Sequence, residues 1–597
     1  MQAYLPDLAA LAALAITWGI GVIVVLAGGL LGGGTEPEIR IGAGWGGLCV
    51  LLTLWGVFVP VSLRVPAIAF ILLALATLFV RHGRLPAAEW RTVLRVLILS
   101  LPLWLLMAPI RPSQPDTFLN LLPNAAYLVE YGHFPTASSP PSFSFLPAAP
   151  YDTQFLAFLG GLAQPGFPAG GMSLINVMLF LVAGLAIARA LGDGREGPLP
   201  WSLTGLGLLL AVLLNPGFVP RIDFAAYGEP GLAVTAALAA LLLVRRPARP
   251  LAVGLILAAM INTKQSGIGL AVAVLGAAKI VFFLEEGYRL RWIRLVTLAS
   301  LPAALLYVVW RFFVARAAVD ELTILPLAQW HWALTPRILA GMAVEIAEKP
   351  VYYSAVAIAL ICWPILQKRQ GWTPTTRLLA LHAAAFVLYN IFLVLAYLGQ
   401  FSTEMSADAH SYFRYSTHLS LVLVAALAMA ARDLGLGAFA LRRARLAMVT
   451  VFALVLIGPV GFAKRLRFDL VMPQPLVWDL AAQVKPHLKD GDRLALLLPG
   501  DNDSVRAMLE GVLRDVSPRL PHLDLLVRRT ADPATLAEAA RLGYAKALIS
   551  CTPDRAAVLM AHDGQGWHQI ASFPYPAAAY RQRWQSILAW PALCRAS

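Results

Sequence analysis

The sequence predicts an α-helical polytopic membrane protein of about 12–14 transmembrane helices, followed by a C-terminal extracytoplasmic α/β domain. Three observations predict it. Of 597 residues, 59% are hydrophobic and only 13% charged, with a mean hydropathy of +0.70; an ordinary soluble domain is about 45–50% apolar and about 25% charged. Long runs free of Lys, Arg, Asp and Glu recur from residue 8 to about residue 463. After about residue 464, charges return every few positions. The composition excludes a soluble enzyme, a disordered chain and a coiled coil. The formal net charge of +14 would suggest nucleic acid in a soluble chain, but in a membrane chain it reflects Lys and Arg held in cytoplasmic loops. Four cysteines, Cys49, Cys362, Cys551 and Cys594, supply no disulfide framework. Cys551 and Cys594 are the two that an oxidising compartment could pair.

A helix needs about 20 apolar residues to cross the hydrocarbon. The runs place spans at 8–31, 45–63, 65–80, 93–110, 171–192, 200–218, 230–244, 250–263, 267–284, 293–311, 351–366, 378–398, 414–431 and 446–463. The first lacks the basic start and small-residue cleavage site of a signal peptide. The pairs 45–63/65–80 and 250–263/267–284 are split by polar residues or proline, and each could be a broken or re-entrant pair. Orientation follows from the basic residues. One set of loops carries Arg81, Arg84, Arg91 and Arg95; Arg245, Arg246 and Arg249; Arg289, Arg291 and Arg294; Lys368, Arg369 and Arg377; and Arg432, Arg442, Arg443 and Arg445. The positive-inside rule puts this set in the cytoplasm. Both termini and the long 111–170 loop then face outward.

In the tail, Arg493 to Pro499 and Leu523 to Val527 read as strands, and Ala547 to Ser550 as a third. Gly500 to Ser504 reads as a turn with helix-capping residues, leading into an amphipathic helix from Val505 to about Val516. Ala534 to Leu542 reads as a helix ended by Gly543. Alternating strands and helices predict a small domain with a parallel sheet.

Ionisable groups near membrane depth are expensive and tend to mark function. Here they gather at the expected outer ends of spans. The long loop opens Arg111-Pro112-Ser113-Gln114-Pro115-Asp116 and continues through Asn124, Glu130 and His133. The apolar spacing of Phe118, Leu121, Leu122, Ala125 and Leu128 predicts a short amphipathic helix over 117–131, lying on the membrane surface. Asp116 precedes it, either as a helix cap or as a carboxylate held at the level of lipid phosphates. Arg221-Ile222-Asp223 and Tyr227-Gly228-Glu229-Pro230 lie between two spans. Lys264 sits at the tip of the 250–284 hairpin. Asp408-Ala409-His410 leads to Arg414-Tyr415 at the start of a span. Arg221, Lys264 and Arg414 could simply snorkel to head groups, and Glu229 before Pro230 could cap a helix. Together, fixed cations beside carboxylates at one depth suit an anionic lipid phosphate.

With these residues in place, the chain resembles the GT-C superfamily of polytopic glycosyltransferases, which use polyprenyl-phosphate sugars as donors. Its aminoarabinose transferases, protein O-mannosyltransferases and galacturonosyltransferases are the similar members. The resemblance covers roughly residues 93–463. It rests on Asp116 right after a span, the Gly132 to Pro135 element, Tyr227-Gly228-Glu229-Pro230 opening a span, Thr263-Lys264 at a hairpin tip, Arg414-Tyr415 opening a late span, and a soluble domain after the last span. Where many members show two adjacent acidic residues, this chain has Asp116 followed by Thr117, so the second carboxylate is Asp152, Asp223 or Glu229. The three spans within 1–92 are an addition to the family core.

The resemblance implies an inverting transferase in a bacterial inner (cytoplasmic) membrane, with the 464–597 domain in the periplasm. The donor would be a polyprenyl-phosphate sugar and the acceptor a cell-envelope lipid, glycan or protein. Asp116 would act as general base, with Glu229 and Asp223 as candidate catalytic carboxylates. Arg111, Arg221, Lys264, His410, Arg414 and Tyr415 would bind the donor phosphate. Glu130, Tyr151 and Asp152 would contact the acceptor or a lid formed by the Pro140 to Pro150 stretch. No metal cluster is diagnostic; the carboxylates near a phosphate leave Mg or Mn open. The competing readings are a transporter or flippase of lipid-linked sugars, and an O-antigen ligase or polymerase built on the 312–350 loop with Arg316, Asp320, Glu321, His331, Arg337, Glu345 and Glu348. A membrane scaffold without chemistry is a third.

Overall fold

A computed structural model describes residues 2–79, 84–192, 198–245, 249–317, 319, 323–435, 444–471, 474–499, 504–516, 518–550, 552 and 556–574. Arg81, Arg246, Asp320, Glu321, Arg442, Arg443, the Gly500 to Asp503 turn, Cys551 and Cys594 lie outside the described residues. The helices are α1 (Leu8–Leu30), α2 (Pro37–Phe58), α3 (Arg64–Ala76), α4 (Ala87–Met107), α5 (Leu122–Tyr131), α6 (Thr153–Ala163), α7 (Phe167–Leu191), α8 (Trp201–Ala211), α9 (Glu229–Val244), α10 (Pro250–Thr263), α11 (Gly267–Glu286) and α12 (Leu290–Ala317). They continue with α13 (Thr335–Glu348), α14 (Pro350–Gln370), α15 (Pro374–Gly399), α16 (Tyr412–Asp433) and α17 (Ala444–Gly461). Among the described residues, nine helices are long and apolar enough to cross a membrane: α1, α2, α4, α7, α11, α12, α14, α15 and α16. Shorter apolar stretches of α3, α6, α8, α9, α10 and α17 make up the rest. Among the described residues, nine of the expected 12–14 spans are thus long and apolar enough to cross a membrane, and shorter apolar helices stand at the positions of the others.

Several boundaries differ from the charge-free runs, and paired charges are the reason. α2 begins before residue 45 and includes Glu38 and Arg40. Arg189 on α7 bonds Glu38 (Nε to Oε1, 2.5 Å) and Glu89 on α4 (Nη2 to Oε2, 2.6 Å), all three fully buried. The Arg40 Nε donates to the Gly34 carbonyl at 2.7 Å. Charges neutralised in this way are compatible with a buried helix. α8 stops at Ala211, short of residue 218, because Asn215 accepts from the Gly217 N–H and turns the chain. The pair 250–263/267–284 is two helices joined by residues 264–266. α10 packs on α2 and α12, whereas α11 packs on α15.

Glycines let the first helices approach closely. A Cβ at Gly44 would run into the Val24 carbonyl of α1, and one at Gly46 into the Leu255 carbonyl of α10. Small residues permit such backbone contact between apolar helices. The end of the bundle that carries Glu38 also gathers basic residues: Arg249 bonds Glu36 at 2.6 Å, and Arg432 reaches the Ala190 and Leu191 carbonyls. The opposite end carries Asp116, Glu229, Lys264 and Arg414.

The tail contains α18 (Gln474–Val484), β1 (Arg493–Leu497), α19 (Ser504–Asp515), β2 (Asp524–Arg528), α20 (Pro533–Arg541), β3 (Lys546–Ile549), β4 (Ala556–His562) and β5 (Trp567–Pro574). The expected strands and helices are present, but the sheet is mixed. Its order is β2-β1-β3-β4-β5, parallel across β2-β1-β3 and antiparallel across β3-β4-β5. The cause is the Asp563-Gly564 turn, in which Asp563 accepts from the Gln565 and Gly566 N–H groups and Gly564 takes φ +92°. A turn this short joins only antiparallel strands.

The 117–131 segment also departs from expectation. It is a π-turn, Thr117–Leu121, running into α5, which ends at Gly132 with φ +69°. Instead of lying free on a lipid surface, it is clamped between bundle and tail. Phe118 and Leu122 belong to the apolar core of the tail, while Ala125 and Leu128 belong to that of the bundle. Trp478 on α18 donates to the Pro112 carbonyl at 3.0 Å, and Arg519 bonds Glu130 at 2.7 Å.

Two outcomes are expected. Arg189→Met should destabilise the protein by about 3–5 kcal/mol, because it strands two buried carboxylates; adding Glu38→Gln and Glu89→Gln should restore most of the loss in thermal unfolding. Near the tail junction, burial pushes the Asp515 carboxyl up to about 6. The folded state thus binds this proton more tightly than the unfolded one, and stability rises as pH falls from about 6 toward the ordinary aspartate value of 3.8. Asp515→Asn should flatten that segment of the pH–stability curve.

Candidate functional site

The residues facing Asp116 come from four separate elements. Asp116 precedes the π-turn, a helix irregularity often found at functional sites. Its side chain makes no capping hydrogen bond, so it does not serve as a cap. It is turned instead to Arg414, whose Nη2 lies 2.9 Å from Asp116 Oδ2. The Arg414 Nε lies 2.7 Å from Glu229 Oε1, and the guanidinium stacks 4.4 Å from the centre of the Tyr227 ring. Lys264 completes the group, with Nζ 2.9 Å from the same Glu229 oxygen and 5.3 Å from the Tyr415 ring centre. Glu229 is the first residue of α9, where a carboxylate also meets the positive end of the helix. The Glu229 side chain is 2% exposed, Arg414 19% and Asp116 41%. The gradient runs from a buried anchor to a carboxylate that an incoming molecule can reach.

This group lines a cavity of about 490 Å³. The rest of its wall includes Asn120, Asn124, Gln154, Ser266, Gln400 and His410. Phe145, Leu146, Ala149 and Pro150 of the proline-rich stretch border it as well. A second cavity of about 590 Å³ lies alongside and shares Pro150, Gln265, Ser266, Phe392, Ala396 and Gln400. Its own wall is mainly apolar, with Ile261, Ile268, Leu306, Trp310 and Leu395, but it also includes Asn262, Tyr307, Arg311 and Thr323.

The expected site residues divide into three groups. Asp116, Glu229, Lys264, His410, Arg414 and Tyr415 converge on the polar cavity. Asp152 and Tyr151 lie behind it. Asp152 is buried and accepts from Thr263 Oγ1 (2.6 Å) and Cys49 Sγ (3.2 Å), while Tyr151 Oη donates to the Pro147 carbonyl at 3.0 Å. They brace the hairpin tip that carries Lys264. The remaining four are elsewhere. Asp223 accepts from the Val219 N–H at 2.6 Å, closing its own turn. Arg221 is exposed and lines neither cavity. Arg111 stacks on Trp478, 5.3 Å from the ring centre, and Glu130 pairs with Arg519. Both are drawn to the tail, which the loop sequence alone does not reveal. Arg316, His331, Arg337, Glu345 and Glu348 also line neither cavity.

His410 has an unusual setting. The residues on either side, Ala409 (φ +50°) and Ser411 (φ +64°), are the only non-glycine positions with positive φ among the described residues. Each such conformation costs about 1–3 kcal/mol and persists only where the surroundings impose it. Tyr397 imposes it by donating to the Ala409 and His410 carbonyls at 3.1 and 2.8 Å. Asn120 and Ser266 are not singled out by the sequence because neutral groups in polar loops carry no distinguishing pattern, and Tyr397 is not because it lies within the apolar run of α15.

Among the described residues no group of three or more His, Cys, Asp and Glu is placed to hold a metal. Both cavity carboxylates already face Arg414, a donor set that does not fit a divalent cation. No protein-family model matches the chain, and no curated protein matches it. Thr263→Val should destabilise the protein by about 1–3 kcal/mol, the cost of leaving a buried Asp152 oxygen unpaired. Thr263→Ser should restore it in the same thermal unfolding assay.

Proposed function

We propose that this chain is a membrane glycosyltransferase that moves a sugar from a polyprenyl-phosphate donor to an acceptor hydroxyl. The observation that carries the reading is the Arg414 fork: one guanidinium holds a buried carboxylate and a reachable one at the mouth of a polar cavity, with an apolar cavity alongside. The apolar cavity suits a hydrocarbon chain, and Lys264 and Arg414 suit its phosphate.

In this reading the acceptor O–H approaches Asp116. Its oxygen attacks the anomeric carbon as the bond from that carbon to the phosphate oxygen breaks, and the configuration inverts. Asp116 takes the acceptor proton; general-base assistance of this kind is worth about 10²–10⁴-fold. The electron pair of the broken bond leaves on the lipid phosphate, where Lys264 and Arg414 stabilise the added charge. No general acid is needed, because the leaving group is already an anion. Glu229 keeps both cations in place, so it serves as a positioning residue. The membrane would be the bacterial cytoplasmic membrane with the tail in the periplasm, and the acceptor a lipid, glycan or protein of the cell envelope. Gathering of the ionisable cavity groups at one end of the bundle favours an enzyme over a transporter, whose binding groups lie near the midplane. Absence of the charged and histidine residues described in the 312–350 loop from both cavities favours it over a ligase.

Asp116→Asn should lower transfer by at least about 100-fold while thermal unfolding stays unchanged; full activity in that variant would remove Asp116 from the mechanism. Arg414→Ala should raise the Kd for polyprenyl phosphate more than that for the acceptor, and an equal loss for both would leave Arg414 a structural role only.

A further inference from the structure

We infer that the sugar accepted by this cavity is polyhydroxylated and carries no carboxylate, so that uronic acids are disfavoured. The inference rests on the transferase reading and names the substrate class of the same site.

The first support is the charge balance of the wall. Its charged residues are Asp116, Glu229, Lys264 and Arg414, two anions and two cations, with the neutral or cationic His410 at the rim. All four are joined to one another, Arg414 to both carboxylates and Lys264 to Glu229. A lipid phosphate draws on Lys264 and Arg414. A uronic acid would then bring a second anion toward Asp116 and Glu229 with no further cation to meet it. It meets like charge in a partly desolvated space, where such repulsion is strongest.

The second support is a set of buried polar atoms with no protein partner. Asn120 Oδ1, Glu229 Oε2 and Ser266 Oγ are all inaccessible and unbonded within the chain, and all three residues line the cavity. They come from three elements: the π-turn after Asp116, the start of α9, and the tip between α10 and α11. Buried polar atoms are nearly always paired, so convergent exceptions call for a reason. Two of the three only accept hydrogen bonds, and Ser266 does both. Hydroxyl groups donate and accept without carrying charge. A ring bearing several of them satisfies all three atoms without disturbing the ion pairs beside them. Sites built to bond a substrate hydroxyl discriminate strongly against analogues that lack it.

The test uses the full chain in detergent micelles and a short-chain polyprenyl phosphate, bare or esterified with glucose, mannose, galactose, 4-amino-4-deoxyarabinose or galacturonate. Binding is read as Kd. At least one neutral ester should bind about tenfold more tightly than the bare lipid, and the uronic ester no more tightly than it. Asn120→Ala and Ser266→Ala should each weaken the preferred neutral ester at least about threefold more than the bare lipid. Asn120→Asp, which adds an unpaired carboxylate, should shift preference toward the amino ester. A uronic ester that binds tightest to the native chain, or variants that weaken bare and glycosylated lipids equally, would overturn the inference while leaving the transferase reading intact. Failure of every lipid to bind, the bare phosphate included, would overturn both.

Discussion

One guanidinium connects parts of this protein that are far apart in sequence. Arg414 lies 298 positions from Asp116 and 185 from Glu229, and it bonds both. Lysine could not replace it, because only the planar fork of arginine presents donors to two carboxylates from fixed directions. The buried Glu229 needs a cation to exist at that depth, and with Lys264 it has two. The position of α16 against α9 and the Asp116 loop follows from this constraint. So does the shape of the polar cavity, whose charged wall is this network.

Part of the fold is legible in the sequence because lipid demands long apolar runs, and these survive any detail of packing. The ends of those runs are less legible. Glu38 and Glu89 look like boundaries when counted singly and are interior once paired with Arg189 across three helices. The tail shows the same division. Its βαβ pattern follows from periodicity, whereas β4 and β5 join antiparallel because of an Asp563-Gly564 turn that the composition of the region conceals.

The site was legible to the extent that charge has to be accounted for. Asp116, Glu229, Lys264 and Arg414 stood out because ionisable groups beside apolar runs need a purpose. Their convergence could be expected from the side of the bundle they share, but their pairing could not. Arg111 and Glu130 were assigned to the cavity on the same grounds and belong instead to Trp478 and Arg519, since nothing in a loop sequence announces a domain that docks on it. Asp223 was misassigned for a different reason: a carboxylate four residues from the amide it accepts is closing a turn, a local role that mimics a functional one.

The docking of the tail bears on the order in which the protein can be completed. Phe118 and Leu122 are made near the fourth helix, yet they fill the core of a domain synthesised much later. Until that domain arrives, the π-turn holding Asp116 exposes two apolar side chains and lacks its cover. The tail, for its part, cannot close its own interior in isolation. Folding therefore includes a mutual step in which each part supplies what the other is missing, and the reachable carboxylate gains its final setting only once the tail domain has been made.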